Sequence, residues 1–245
     1  MISILDSGVG GLSILKELKQ KLPEASLLYF GDTAYMPYGA LSGIEIYERV
    51  KLFLETFEKE TDMFVIACNS ATVSMIDDYR ELTNKPIIGV EPGIKPAAAI
   101  SQSKHVAVLA TVRAAKNPQI PWLIKEYGGD CRFHILPCKN LALAIERKPE
   151  YIEDALEEAL VDLQPEVDTV VLGCTHYNLI KDVIQKKIGD RIIVDTSEPV
   201  ARRAVIVYNA IPHKKNQKPG ITFKCSGDNQ AFLKRIKELT PELLA

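Results

Sequence analysis

The sequence predicts an α/β fold of two pseudo-symmetric lobes, each a mainly parallel sheet flanked by helices, with the active site in the cleft between them. Three observations predict it. Short apolar, β-rich runs alternate with segments of helical period along all 245 residues, the pattern of parallel sheets covered by helices. The first four run ends (5, 30, 67, 90) map onto the second four (109, 136, 173, 194) at separations of 104, 106, 106 and 104, so the chain is close to a duplicated unit. In the third pair the match reaches single residues, because "TDMFVIACNSAT" from Thr61 lines up with "VDTVVLGCTHYN" from Val167 and pairs Asp62 with Asp168, Val65 with Val171 and Cys68 with Cys174.

Each element follows in order. "ISIL" at 2 opens the chain as a strand and runs into "LDSGVGG", where Asp6 and Ser7 precede a glycine turn; Leu12, Leu15, Leu18 and Leu22 then mark a helix. The turn lacks the third glycine of a dinucleotide fingerprint and the lysine of a Walker loop, so a nucleotide reading is weak, and the turn can still cradle a carboxylate. "LLYF" at 27 leads through Gly31-Asp32-Thr33 to Pro37-Tyr38-Gly39, which reads equally as plain loop and as substrate wall. "MFVIA" at 63 ends in Cys68-Asn69-Ser70, and "IIGV" at 87 closes the first set of strands. The second set is "HVAVLA" at 105 ending in Thr111, "FHIL" at 133, "TVVLG" at 169 ending in Cys174-Thr175-His176, and "IIV" at 192. The basic run from His213 to Lys218 leads into Pro219-Gly220 and reads as a solvated turn.

Composition narrows the function classes. A net charge of −2 from 30 basic and 32 acidic residues provides no field for nucleic acid or an anionic membrane, and no apolar run approaches a membrane span. No basic leader with a cleavage site opens the chain, so a cytoplasmic location is expected. Five scattered cysteines without a C-x-x-C pair argue against a disulfide framework and a structural zinc site. Metal binding by Cys68, Cys174 and His176 remains an alternative of unusual spacing. A lone cysteine after a strand is most often core packing; the matched pair points instead to chemistry. Both thiols stand at carboxyl ends of parallel strands, where open α/β sheets place ligands. Two equivalent thiols on opposite faces of a planar carbanion are what inversion of a carbon centre by proton transfer requires. The starts of the helices that follow, with His176 and Thr175 beside one thiol and Asn69 and Ser70 beside the other, favour negative charge.

"DSGVGGLSIL", "DTAYMPYG", "ACNSAT", "GVEPGIKPA", "VLAT", "VLGCTHYNL" and "CSGD", in this order, resemble the glutamate racemases of the aspartate/glutamate racemase superfamily over nearly the whole chain. The resemblance implies cofactor-independent racemisation of L-glutamate to D-glutamate for peptidoglycan, without pyridoxal phosphate or metal. It makes Cys68 the base toward D-glutamate, Cys174 the base toward L-glutamate, Asp6 and His176 flanking acid/base helpers, and Glu146, eight residues after Cys138, the further carboxylate. Ser7, Pro37, Tyr38, Gly39, Asn69, Ser70, Thr111 and Thr175 become the substrate contacts. It also implies lobes of 1–92 plus 203–245 and of 93–202. Three departures stand out: Ser70 and Asn178 replace the usual Thr and Pro, and Ala114 stands where the family tends to place a second Thr, which puts one substrate contact in doubt. The N-terminal extension that carries regulation in some members is expected to be absent. An aspartate racemase is the nearest rival and a non-catalytic amino-acid-binding or regulatory homologue the rival from another class; hydantoin racemases share the logic of two cysteines. A homodimer is expected on general grounds.

Overall fold

The computed structural model describes residues 1–213 and 218–244, so residues 214–217 of the expected basic turn lie outside the described residues. Among the described residues, nine strands form two sheets: β1 (Ile2–Asp6), β2 (Ser26–Gly31), β3 (Met63–Ile66), β4 (Ile87–Gly89), β5 (His105–Thr111), β6 (Arg132–Cys138), β7 (Thr169–Gly173), β8 (Ile192–Val194) and β9 (Gly220–Cys225). The first sheet runs β4-β3-β1-β2-β9 and the second β6-β5-β7-β8, with every pairing parallel.

Read from its other edge, the second sheet is β8-β7-β5-β6, which repeats β4-β3-β1-β2 strand for strand. The register repeats as well: Leu5 lies opposite Phe30 and Ile66, and Leu109 opposite Leu136 and Leu172. The fourth pair departs from the sequence offset. Val65 faces Ile88 while Val171 faces Val194, so the structural partner of Val194 is Ile88, two residues before the run end at Val90.

The strands read as continuous apolar runs because helices cover both faces of each sheet. Along β1, Ile2 and Ile4 join one cluster with Leu12, Leu15, Ala201, Ala204 and Phe232, whereas Leu5 on the opposite face packs with Ile46, Val50, Phe53 and Phe57. The helix Gly43–Phe57 that supplies the latter set begins with a reciprocal cap: Glu45 N–H donates to the Ser42 hydroxyl and Ser42 N–H donates to the Glu45 carboxylate. In the second sheet, Leu109 and Leu172 face Leu141, Ile145 and Leu156, and Val108 and Val171 face Ile94, Ile120 and Leu123.

Strand β9 is absent from the expected elements, and its position explains why. It is an edge strand in which Thr222 and Lys224 are exposed while Phe223 tilts against Tyr29, so it offers no apolar run. The chain passes between the sheets twice. Gly93 lies against Val194 and Thr196, which sets the two passages side by side. The helix Ser197–Asn209 spans position 202/203 and packs Ala201 and Ala204 into the cluster beneath β1.

Candidate active site

The third strand of each sheet ends one or two residues before a cysteine that opens a helix. Cys68 precedes the helix Asn69–Glu81, and Cys174 precedes the short helix Thr175–Asn178. Both thiols are free and almost sealed, at 5% and 7% exposure. Burial pushes the Cys68 thiol far above its ordinary range; negative charge on Asp6 and on Cys174 adds to this, and the Ala71 N–H and the Ser7 hydroxyl, 3.9 Å from the sulfur, oppose it. The two cysteines of the repeat are therefore close enough to feel each other's charge.

Strand β1 ends at Asp6, whose carboxylate accepts the Gly8 N–H at 2.9 Å and the Thr175 hydroxyl of the other lobe at 3.2 Å. Burial raises its carboxyl, against the opposing charge of His176 and these two hydrogen bonds. The glycines that follow are required by close approach. A Cβ on Gly8 would collide with the Glu146 carboxylate, and one on Gly10 with the His176 ring. Through this turn the Val9 N–H donates to Glu146 Oε2 at 2.9 Å. The same oxygen lies 2.8 Å from His176 Nε2, and His176 Nδ1 lies 3.9 Å from the Cys174 sulfur. A relay thus runs from the first lobe's backbone through Glu146 and His176 to Cys174. Burial would depress His176, but the Cys174 thiol and the Glu146 and Asp6 carboxylates hold it well above the ordinary imidazole range. Burial likewise works against ionised Glu146, and the His176 hydrogen bond and charge and the Val9 N–H hold its carboxyl below the usual range.

The expected substrate contacts are brought together unevenly. Ser7 lies by Cys68, and the Ser70 and Thr111 hydroxyls meet across the lobes at 3.1 Å. Gly39 packs on Thr111, where a Cβ would stand 3.1 Å from the threonine Cβ. The Asn69 amide donates to the Val90 carbonyl at 3.1 Å, and the Tyr38 hydroxyl donates to Asp32 at 2.6 Å, so both polar ends are engaged by the fold. Pro37 follows a cis peptide at the start of the same loop. Ala114, where a threonine contact was expected, is fully buried in the apolar cluster with Val108 and Ile120, and its N–H donates to the Thr111 hydroxyl.

Sequence reasoning missed the groups that hold this loop. Arg49 binds Asp32 through two nitrogens at 2.8 and 2.9 Å and lies over the Tyr35 ring, and Arg113 donates to the Leu41 carbonyl at 2.8 Å. An arginine on an amphipathic helix gives no signal in a sequence beyond a solvated face. A cavity of about 650 Å³ lined by Arg80, Trp122, Tyr127 and Arg203 includes none of the site residues, and one of about 320 Å³ lined by Thr33, Glu146, Arg147, Phe232 and Arg235 touches Glu146 alone of them. Chemistry, not volume, locates the site.

A family model described as Asp/Glu/Hydantoin racemase matches residues 12–204. The chain is 36% identical to the glutamate racemase of Stutzerimonas stutzeri over 98% of this chain and 94% of that protein, and 40% identical to that of Ralstonia pickettii over 82% and 73%. Among solved structures, it resembles Escherichia coli glutamate racemase in complex with L-glutamate and the activator UDP-MurNAc-Ala, with a TM-score of 0.87 at 28% identity over 99% of this chain and 93% of that one. It resembles the glutamate racemase isoform RacE1 of Bacillus anthracis with a TM-score of 0.85 at 29% identity over 97% and 92%.

Proposed function

Because the chain belongs to the Asp/Glu/Hydantoin racemase family, we propose that it interconverts L- and D-glutamate by two opposed thiols without a cofactor, supplying D-glutamate for peptidoglycan. The observation that carries the reading is the pair Cys68 and Cys174, which occupy matching places in two lobes of the same strand order and lie within reach of each other's charge. With L-glutamate bound, the Cys174 thiolate takes the Cα proton and the Cys68 thiol gives its proton to the opposite face. The product leaves with Cys174 protonated and Cys68 as thiolate, and D-glutamate runs the same steps backwards.

The neighbours divide the work in this proposal. Protonated Cys68, held so by burial and Asp6, is a ready acid for the first direction. The His176 imidazolium, backed by Glu146, faces Cys174, and Thr175 ties Asp6 to that side. Helix N-terminal N–H groups, Ser7 and the Ser70–Thr111 hydroxyl pair receive the substrate's polar ends, and the Pro37-Tyr38-Gly39 loop walls the pocket. Division into 1–92 plus 203–245 and 93–202, a homodimer and a cytoplasmic location belong to the same proposal. No helix among the described residues is long and apolar enough to cross a membrane.

The test is proton NMR of L-glutamate, D-glutamate and, separately, L-aspartate in D2O with the purified protein. Loss of the Cα proton signal with glutamate alone, with formation of the other enantiomer, is the expected result. Exchange confined to aspartate moves the substrate, and no exchange by folded protein with reduced thiols sinks the racemase reading. Cys68→Ala and Cys174→Ala are each expected to abolish racemisation; normal turnover in both directions by either variant overturns the two-base mechanism.

A further inference from the structure

The second lobe holds a buried polar group that the relay does not use. Tyr177 is fully buried, and among the described residues its hydroxyl closes no well-formed hydrogen bond. It stands one turn after Cys174, with its N–H donating to the Cys174 carbonyl at 3.0 Å, so ring and thiol share one face of the helix start. Its ring packs in the cluster that contains Cys138, Leu172 and Cys174, and the polar groups facing its hydroxyl are the sulfurs of Cys138 and Cys174.

A neutral thiol is a weak acceptor, and a buried phenol left with only thiols for company is an unsatisfied donor. A thiolate is a strong, charge-assisted acceptor. Cys138 does not supply one: burial pushes its thiol up to about 12 even with the Tyr177 hydroxyl beside it to favour the thiolate, and its S–H points to the Leu136 carbonyl at 3.5 Å. Burial also holds the Tyr177 phenol well above its ordinary range, so it keeps its proton to donate. We propose that Tyr177 is a positioning residue whose hydroxyl donates to the Cys174 sulfur when that sulfur carries the negative charge, holding it on the L-glutamate face. The proposal rests on the thiol mechanism above. The titratable groups facing Cys174 are His176 and Tyr177 from its own helix, Cys138 from β6 and Cys68 from the first lobe, with Glu146 and Asp6 behind His176.

Tyr177→Phe removes the hydroxyl and keeps the ring. Hydrogen bonds to charged groups imply a loss of about tenfold or more. The two enantiomers have equal free energy, so kcat/KM must fall equally in both directions whatever happens to kcat and KM separately. Three results are expected: kcat/KM down about tenfold, its acid limb displaced upward by about one pH unit, and alkylation of Cys174 by iodoacetamide at pH 7, localised by mass spectrometry, slowed about tenfold with Cys68 unaffected. Unchanged Cys174 alkylation and an unchanged acid limb overturn the proposal even if wild-type protein racemises glutamate. Slowed alkylation in a protein whose wild type does not racemise sinks the function above and keeps the Tyr177–Cys174 contact. Cys138→Ala is the second variant: wild-type kcat/KM and alkylation are expected, because Tyr177 then faces Cys174 alone, and a tenfold loss there shows that packing, not the hydroxyl, matters.

Discussion

At the scale of residues, the glycine turn and Glu146 belong to one device. Gly8 and Gly10 have no side chain because Glu146 and His176 occupy that space, and the Val9 N–H between them holds the carboxylate. Glu146→Gln is expected to lower the pH at which His176 loses its proton, moving the basic limb of kcat/KM to lower pH. Its effect on stability has a defined window. His176, raised in the folded state, contributes stability that is present in full below about pH 6.5 and is lost as pH rises through its folded value. Glu146, depressed in the folded state, contributes above about pH 4.3 and loses that contribution as pH falls through its folded value. Thermal unfolding of the variant should therefore show its largest deficit between these limits, about 3–5 kcal/mol for a broken buried pair, shrinking on either side. Equal deficits at all pH values contradict the charged pair. Cys68, Cys174 and Asp6 were legible because each ends an apolar run. Asp32 and Arg49 were not, since nothing local says that a loop carboxylate and a helix arginine 17 positions apart will meet.

At the scale of elements, the duplication extends to the bases of the central strands. Asp62 at the foot of β3 pairs with the Met1 ammonium, and Asp168 at the foot of β7 accepts from the Ser101 and Thr169 hydroxyls and from the Gln102 and Ser103 N–H groups. These hydrogen bonds overcome the effect of burial and hold the Asp168 carboxyl well below its usual range. A depressed carboxyl stabilises above its unfolded value of about 3.9 and loses that contribution as pH falls through the folded one. Asp168→Asn should accordingly cost roughly 1 kcal/mol at pH 7, read from urea unfolding, and progressively less as acid protonates the wild-type carboxylate. A cost that does not vary with pH contradicts the charged anchor. Eight of the nine strands were legible because both faces are covered and the runs are continuous; β9 was not, because an edge strand with Thr222 and Lys224 exposed resembles a loop.

At the scale of the molecule, the two lobes are held together around the thiols by arginines that donate to backbone carbonyls. Arg147 reaches Thr33 at 2.7 Å, Arg113 reaches Leu41, and Arg235 from the C-terminal helix grips the Ile145 carbonyl with two nitrogens. At 5% and 7% exposure the two thiols are nearly closed off where the lobes meet. Arg235→Ala frees the residue before Glu146, so faster deuterium exchange over Leu141–Arg147 is expected, with KM for both enantiomers raised several-fold. Unchanged exchange and KM exclude Arg235 as an inter-lobe tie.

The sequence by itself determined the alternation of strands and helices, the duplication and the matched pair of thiols, because each is written in local spacing and apolar run length. Only the tertiary structure decided that Val9 meets Glu146 across 137 positions, that Thr175 reaches Asp6 across 169, and that Asn69 and Tyr38 turn their polar ends to the fold. Those contacts depend on how two independently covered sheets close on each other, and hydrogen bonds made across that closure leave no periodic trace in either half.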